Sequence, residues 1–401
     1  MTTMTRVRSW QGPAIFSYGF RPFFLFAALD AALAVALWVP WFLGLVEVPS
    51  LLPPVAWHAH SLLFGYVAAV VAGFLLTAVP NWTGRLPVAG WPLAGLFSLW
   101  LGGQIAILCS AHLGAWLTAL VALSFLCVLM SLMAREIVTA RNWRNLPVLL
   151  VLAVLLIAQA LFHWEVARFG QPEIAQRLAI GAIVTLIALI GGRIVPSFTT
   201  NWLKRVNPGR LPRPLGRFDV IALVVGIAAF AVWIVSVRLA VPAWLCGGLL
   251  LLAGLLHLAR QVRWVPERTG REPLLVILHI GYLFIGVGFL LTGLAELTHG
   301  RIAASAGIHA WTAGAIGTMT LAVMTRASLG HTGRALTAGP MTTAIYAGVI
   351  LAAVLRIASA LAPEHTTVLI PAAGIAWVAA FLGFAAVYGP MLARPRADRA
   401  G

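Results

Sequence analysis

Charged residues are scarce in this chain, and acidic residues are the scarcest of them. Only 9% of the residues are charged and 11 of the 401 are Asp or Glu, whereas 61% are hydrophobic. This composition excludes an ordinary soluble domain. The net charge of +16 does not indicate a nucleic-acid partner, because the basic residues lie in short loops between long apolar runs, where Lys and Arg set membrane topology.

Cysteine is also rare, and the three that are present lie far apart within apolar runs. Cys109, Cys127 and Cys246 form no CxxC pair and no pattern typical of a disulfide framework. We interpret them as small buried hydrophobic residues. A disulfide-stabilised fold is therefore excluded.

Apolar runs of about 20 residues, the length that crosses a bilayer, dominate the sequence. Backbone groups in lipid must hydrogen-bond internally, so each run predicts a transmembrane helix. The predicted fold is all-α integral membrane, with a single twelve-helix domain at 22–391 between an N-terminal arm at 1–21 and a tail at 392–401. The predicted helices cover 22–43, 57–80, 92–111, 114–134, 146–167, 176–200, 218–238, 243–262, 273–297, 303–329, 338–361 and 366–391.

Lys and Arg are distributed unevenly between alternate loops. If the N-terminus is cytoplasmic, 22 of the 27 basic residues fall on the cytoplasmic side, including those of both terminal segments. The other side receives only Arg168, Arg177, Arg238, Arg301 and Arg356. Because basic loops stay in the cytoplasm, the pattern predicts cytoplasmic termini and an even number of crossings.

The second and tenth predicted helices share the spaced pattern His-x4-Gly-x17-Thr-Gly-Arg. The first copy runs from His60 to Arg85 and the second from His309 to Arg334. The sixth helix, at 181–199, matches the tenth more loosely. Because these helices are four apart, the repeat suggests three four-helix units around a threefold pseudo-axis.

Six of the ten histidines lie inside predicted helices, where an uncompensated imidazole is costly, and a seventh, His331, ends the tenth helix. Neutral imidazole is the commonest protein ligand of haem iron and copper, so we predict metal ligation, with a hydrogen-bonded interhelical histidine as the alternative. The predicted topology sorts the seven into an outer layer of His58, His60, His163 and His309 and an inner layer of His257, His279 and His331.

Within the outer layer, His60 and His309 are predicted to hold one haem, because they occupy matching positions in the repeat. His58 and His163 are then the candidate catalytic ligands of a second metal centre nearby. His58 and His60 lie about 200° apart on a regular helix. They share one ion only if the backbone is irregular there; otherwise they serve two centres, or one is a structural hydrogen-bonding residue. Gln159 precedes His163 by one turn and is a candidate partner of its other ring nitrogen.

The inner layer suits either one bis-histidine haem with a spare histidine or a copper site of three imidazoles. Arg193 and Arg326 lie near the predicted inner surface, where they pair with haem propionates or extend to the lipid headgroups. These arginines favour haem. Asp30, a lone acid within the first helix, carries protons or pairs with an arginine, and Glu165 and Glu296 at the outer rim are candidate proton acceptors.

Several segments of the chain resemble the NnrS family of bacterial membrane proteins. They are GFRPFF at 19–24, WHAH at 57–60, LFGY at 63–66, VPNWTGR at 79–85, GRIVPSFT at 192–199, LHIGY at 278–282 and, with His309, GTMTLAVMTRASLGHTGR at 317–334. Ser61 departs from the family, which has an acidic residue after the His-x-His pair, so no carboxylate role is expected at that position.

The resemblance implies a haem- and copper-containing protein of the bacterial inner membrane that acts in nitric oxide metabolism or resistance. We expect one or two haems of b type, with copper as a further metal. Nitric oxide or a related small ligand would be the substrate, and a membrane quinol or small redox carrier the electron donor. The predicted twelve-helix layout is similar to the catalytic subunit of haem–copper oxidases and nitric oxide reductases, which is an analogy of fold alone.

Two classes of function follow from these features. The first is a redox enzyme, similar to nitric oxide reductase, in which haem iron binds nitric oxide and a neighbouring metal or second haem supplies the other electron. The second is a non-enzymatic transporter or sensor of metal or metal–nitrosyl species. A stoichiometric Soret band in the purified protein would separate them.

Overall fold

A computed structural model describes residues 10–395 of the chain, which are mostly helical and contain no strand. The outer parts of the predicted terminal segments, with Arg6, Arg8, Arg396 and Arg399, lie outside the described residues. The long helices are α1 (Phe20–Phe42), α2 (Pro54–Thr83), α3 (Trp91–Leu108), α4 (Ala115–Thr139), α5 (Leu146–Phe169), α6 (Glu173–Val206), α7 (Arg217–Val235), α8 (Ala243–Val262), α9 (Pro273–Leu297), α10 (304–331), α11 (Pro340–Leu361) and α12 (Thr366–Ala393).

Each predicted apolar run corresponds to one of these helices, which confirms an all-α, multi-pass membrane protein. Within the described residues, eleven helices are long and apolar enough to cross a membrane. The helix that falls outside this group is α10, which runs unbroken but carries many Thr, Ser and Gly residues together with His309 and Arg326. The expected tenth helix therefore forms, although its composition is less apolar than a typical span.

The helix boundaries follow from proline and glycine. Helices α3, α5, α9 and α11 begin with proline in the first turn, where its missing N–H is not needed. Helices α2 and α5 end at Gly84 and Gly170, which adopt left-handed conformations with φ of 70° and 75°. Glycine adopts this conformation without strain, so the chain can turn directly after each helix.

The described chain forms two compact units. The first holds α1 to α5, the first turns of α6 and the final parts of α10 and α12, and the second holds the remainder of α6, α10 and α12 together with α7, α8, α9 and α11. The single domain at 22–391 and the threefold arrangement stay predictions.

In the first unit, Arg21 ties the start of α1 to the end of α12. Its side chain is buried, and Nη1 donates to the carbonyl oxygens of Leu392 at 2.9 Å and Arg394 at 2.5 Å. The last carbonyls of a helix have no partner within the helix, so a guanidinium is well suited to bind them. The first and last long helices of the chain thus meet at one end.

In the second unit, α8 and α9 pack backbone against backbone through two glycine pairs. A Cβ atom added at Gly247 would lie 2.8 Å from the carbonyl oxygen of Gly293, and one at Gly254 would lie 3.0 Å from that of Gly286. Small residues that allow such close approach are typical of helix contacts in membranes.

Candidate functional site

His60 of α2 and His163 of α5 lie side by side in the first unit. Their ring centroids are 5.0 Å apart and the planes are inclined by 60°. His60 is 1% exposed, and His163 is partly buried. The rings of Phe64 and Phe162 pack against His60 at 5.2 and 5.4 Å, so the pair lies in apolar surroundings. The two histidines lie about a hundred residues apart in the sequence. They meet in space since α2 and α5 belong to the same unit.

The polar atoms of this pair are not satisfied by the described part of the chain. Neither ring nitrogen of His60 has a hydrogen-bond partner there, and neither does Nε2 of His163. Buried polar atoms are nearly always hydrogen-bonded, and leaving one unpaired costs about 1–3 kcal/mol. A ligand that accepts an imidazole lone pair, such as a metal ion, would satisfy one of the unpaired nitrogens on each ring.

His58 faces a different environment from His60. The backbone is regular α-helix from Pro54 to His60, so the irregular geometry that would bring both rings to one ion does not occur. The His58 ring stacks on Trp38 of α1, with centroids 4.0 Å apart and planes inclined by 25°. The two histidines are therefore directed to separate surroundings.

His309 in the second unit carries a hydrogen bond that determines its tautomer. Nδ1 lies 2.7 Å from the carbonyl oxygen of Ser305, one turn earlier on α10. Because a carbonyl only accepts, Nδ1 must carry the proton and the lone pair must reside on Nε2. Metal-binding histidines are commonly held in this way. The predicted haem between His60 and His309 joins residues of different units and stays a prediction.

Both copies of the sequence repeat contain a π-helical segment directly after the histidine. It covers Ser61–Tyr66 in α2 and Ala310–Gly317 in α10. Each segment holds the repeat glycine, and a Cβ atom would lie 2.3 Å from Gln104 Oε1 at Gly65 and 2.5 Å from Phe284 Cγ at Gly314. Such segments are rare and frequent at functional sites. The matching backbone supports the repeat between α2 and α10, whereas the more loosely matching α6 is regular α-helix throughout.

In the predicted inner layer, His257 belongs to a buried hydrogen-bonded chain. Its Nδ1 lies 2.9 Å from the Tyr282 hydroxyl, which accepts from Arg260 Nη1 at 2.7 Å. Arg260 also donates through Nε to Asp219 at 2.9 Å. The His257 ring stacks on Phe289 with the planes inclined by 7°. This environment is that of a hydrogen-bonded interhelical histidine, which is the alternative to metal ligation.

The other two inner histidines lie in different units. His279 is 4% exposed in the second unit, and its Nε2 lies 3.1 Å from Thr199 Oγ1. His331 lies in the first unit, where its ring contacts Tyr18 and Phe20 at 5.7 and 5.4 Å. Burial raises the pKa of Tyr18 to about 12, so its phenol is neutral at physiological pH. Haem or copper ligation by the inner layer stays a prediction.

The predicted accessory residues have varied surroundings. Gln159 donates from Nε2 to the carbonyl oxygen of Ala122 at 3.2 Å and so links α5 to α4. The Glu165 carboxylate accepts from the backbone N–H of Ala175 at 2.9 Å and caps the start of α6. Asp30 Oδ2 is buried and has no hydrogen-bond partner among residues 10–395.

Arg193 and Arg326 are partly buried and lie on α6 in the second unit and on α10 in the first. Their pairing with propionates stays a prediction. Within either unit, no group of three or more His, Cys, Asp or Glu side chains of the described residues is placed to hold a metal ion. The His60–His163 pair is therefore a two-ligand candidate site.

Sequence reasoning missed several residues that shape these sites. Arg260 was only one of the basic residues predicted on the cytoplasmic side, but its side chain is 0% exposed and pairs with Asp219. An available signal was its position three residues after His257 within an apolar run. No sequence signal indicated Thr199 as the partner of His279 or Trp38 as the partner of His58.

The family model described as NnrS protein matches residues 14–396, which is nearly the whole chain. The chain therefore belongs to the NnrS family, as its motifs indicated. No curated protein matches the chain.

Proposed function

We propose that this member of the NnrS family binds nitric oxide at a metal centre built on His60 and His163, and that it reduces or otherwise detoxifies the bound molecule. Family membership supports a nitric oxide-related membrane protein. The observation that carries the site is the buried imidazole pair with unpaired ring nitrogens.

The spacing of the pair supports one metal geometry over another. With metal–nitrogen bonds of about 2.0 Å, two imidazoles on one tetrahedral ion have centroids about 5 Å apart, and two on opposite sides of an iron about 6 Å apart. The observed 5.0 Å between His60 and His163 fits the bent geometry, which suits copper with open positions. His309, with its lone pair on Nε2, would suit a haem iron as a ligand.

The surrounding residues would prepare the site for a small uncharged ligand. Phe64 and Phe162 pack edge to face at 5.5 Å and cover His60, so water has little access to its imidazole. A dry, apolar wall strengthens electrostatic interactions within the site. Copper or haem iron, when bound, would supply nitric oxide coordination and electron transfer. The protein's part is to hold the ligand nitrogens in place and exclude water.

The first test measures metal and haem in the purified full-length protein and in His60→Leu. We expect stoichiometric metal in the wild type and at least about a tenfold loss of affinity in the variant, because a ligand is removed. Nitric oxide should change the spectrum of the wild type and not that of the variant. His112→Leu, in the one-turn helix Ser110–Leu113, is the matched control and should behave as wild type.

Full metal content and an unchanged nitric oxide response in His60→Leu would contradict the assignment of the pair. The purified wild-type protein could instead have no Soret band and no stoichiometric copper, yet move metal across the membrane of vesicles. That result would favour the alternative function, a transporter.

A further inference from the structure

The second unit contains a partly open cavity of about 480 Å³, close to the point where α8 ends and α9 begins. Its wall includes residues of the connecting loop, among them Glu267 and Thr269, and reaches Leu283 in the third turn of α9. The cavity therefore spans the boundary between a basic loop and the apolar part of two helices. Cavities of this size accommodate small organic ligands.

Two buried side chains of this wall carry unpaired polar atoms. His279 is 4% exposed and Gln261 is 7% exposed, and both line the cavity. His279 Nδ1 and Gln261 Oε1 have no hydrogen-bond partner among residues 10–395. Such atoms are costly to bury, so their pairing with a ligand would be favourable.

The opposite ends of these side chains are held in place. His279 Nε2 lies 3.1 Å from Thr199 Oγ1, and Gln261 Nε2 donates to the carbonyl oxygen of His279 at 2.5 Å. Because that carbonyl only accepts, the amide orientation of Gln261 is determined and its unpaired end is an acceptor. A ligand at Gln261 must therefore offer a donor, such as a hydroxyl group.

The rest of the wall indicates the class of this ligand. Leu258, Val276 and Leu283 give an apolar surface, and none of the described lining residues is Lys or Arg. Glu267 adds a carboxylate, which pairs with Arg210 outside the cavity. An anionic lipid headgroup would meet a carboxylate and no lining cation, so it is disfavoured. A flat apolar ring with hydroxyl groups and a lipid tail fits better.

We propose that this cavity binds the head group of a membrane quinol, with ring hydroxyls hydrogen-bonded to Gln261 Oε1 and His279 Nδ1. Its role as electron donor rests on the proposed function. Oxidation of one quinol to quinone releases two electrons and two protons, which balances reduction of two nitric oxide molecules to nitrous oxide and water. Quinol binding itself requires neither nitric oxide nor metal.

The test is equilibrium binding of decylubiquinol to the detergent-purified full-length protein by calorimetry, under anaerobic conditions and without nitric oxide. We expect saturable binding with one site per chain, and weaker binding of the oxidised decylubiquinone, which lacks the hydroxyl donor. Gln261→Leu and His279→Leu should each lower the affinity roughly five- to tenfold, as the loss of one hydrogen bond predicts. Val276→Phe narrows the cavity while leaving both polar atoms intact, and it should weaken binding. His112→Leu is the control.

Absence of saturable binding in the wild type, or wild-type affinity in Val276→Phe, would overturn the proposal. Displacement of the quinol by phosphatidylglycerol vesicles with higher affinity would assign the cavity to an anionic lipid instead. If His279→Leu lost haem but kept its affinity for quinol, His279 would be a haem ligand, as the sequence predicts, and not part of the quinol site. The haem and copper contents of the same samples test the proposed function separately. A failure of the quinol proposal can therefore be distinguished from a failure of the proposed metal centre.

Discussion

Arg260 and Asp219 form an ion pair in the interior of the second unit, with 0% and 3% of their side chains exposed and the atoms 2.9 Å apart. Arg263 approaches the same carboxylate at 3.4 Å. Removing one partner of a buried pair leaves a charge that the surroundings cannot solvate. The pair also positions Tyr282 against His257, because Arg260 donates to the Tyr282 hydroxyl.

At this residue scale, Asp219→Asn should destabilise the protein strongly. Breaking a buried pair costs about 3–5 kcal/mol, because the Arg260 guanidinium stays buried without its counter-charge. Thermal unfolding of the purified protein, followed by tryptophan fluorescence, would measure the change. Glu364→Gln is the control, since its pair with His365 is 65–67% exposed at both side chains and should contribute little. Equal midpoints for the two variants would contradict the structural role of the buried pair.

At the scale of elements, both repeat histidines precede a π-helical segment, although their surroundings differ. A π segment adds a residue to one turn and so redirects the helix face that follows it. In α2 the segment follows His60, whose ring lies beside that of His163. In α10 it follows His309, whose Nδ1 is hydrogen-bonded to the carbonyl oxygen of Ser305. The shared backbone feature is therefore independent of each imidazole's local partners.

The glycine contacts between α8 and α9 give a prediction at the same scale. Gly247→Val places a side chain where the carbonyl oxygen of Gly293 lies, so the helices must separate. Overpacking of this kind costs about 1–3 kcal/mol. The adjacent Gly248 is exposed and has no atom within 4 Å of an added Cβ, so Gly248→Val is a matched control. Thermal unfolding should show a lower midpoint for the first variant only, and equal midpoints would exclude close backbone packing here.

At the scale of the whole molecule, the contact of Arg21 with the last turn of α12 bears on the number of crossings. The start of α1 and the end of α12 lie together in the first unit, so we predict that they belong to the same membrane surface. An odd number of crossings would separate them. We therefore expect one more crossing besides the eleven strongly apolar helices, and α10 is the candidate for it despite its polar residues.

The orientation of the chain is predicted from its basic residues. Reporter fusions near Glu47, Arg168 and Glu364 should read periplasmic, and fusions near Arg141 and Arg213 cytoplasmic, because Lys and Arg favour the cytoplasmic side. A paired alkaline phosphatase and green fluorescent protein series would measure this. A cytoplasmic reading at Glu364 together with a periplasmic reading at Glu47 would imply that α10 does not cross.

The sequence by itself determined the helices, because membrane insertion depends on local hydropathy and backbone groups in lipid must bond within each segment. It also determined the family, and the spaced repeat that marks His60 and His309. Tertiary structure alone decided that His163 meets His60, that Arg260 is buried beside Asp219, and that Thr199 holds His279. These partners lie tens of residues apart, and which of them touch depends on helix rotation and packing, which no local pattern encodes.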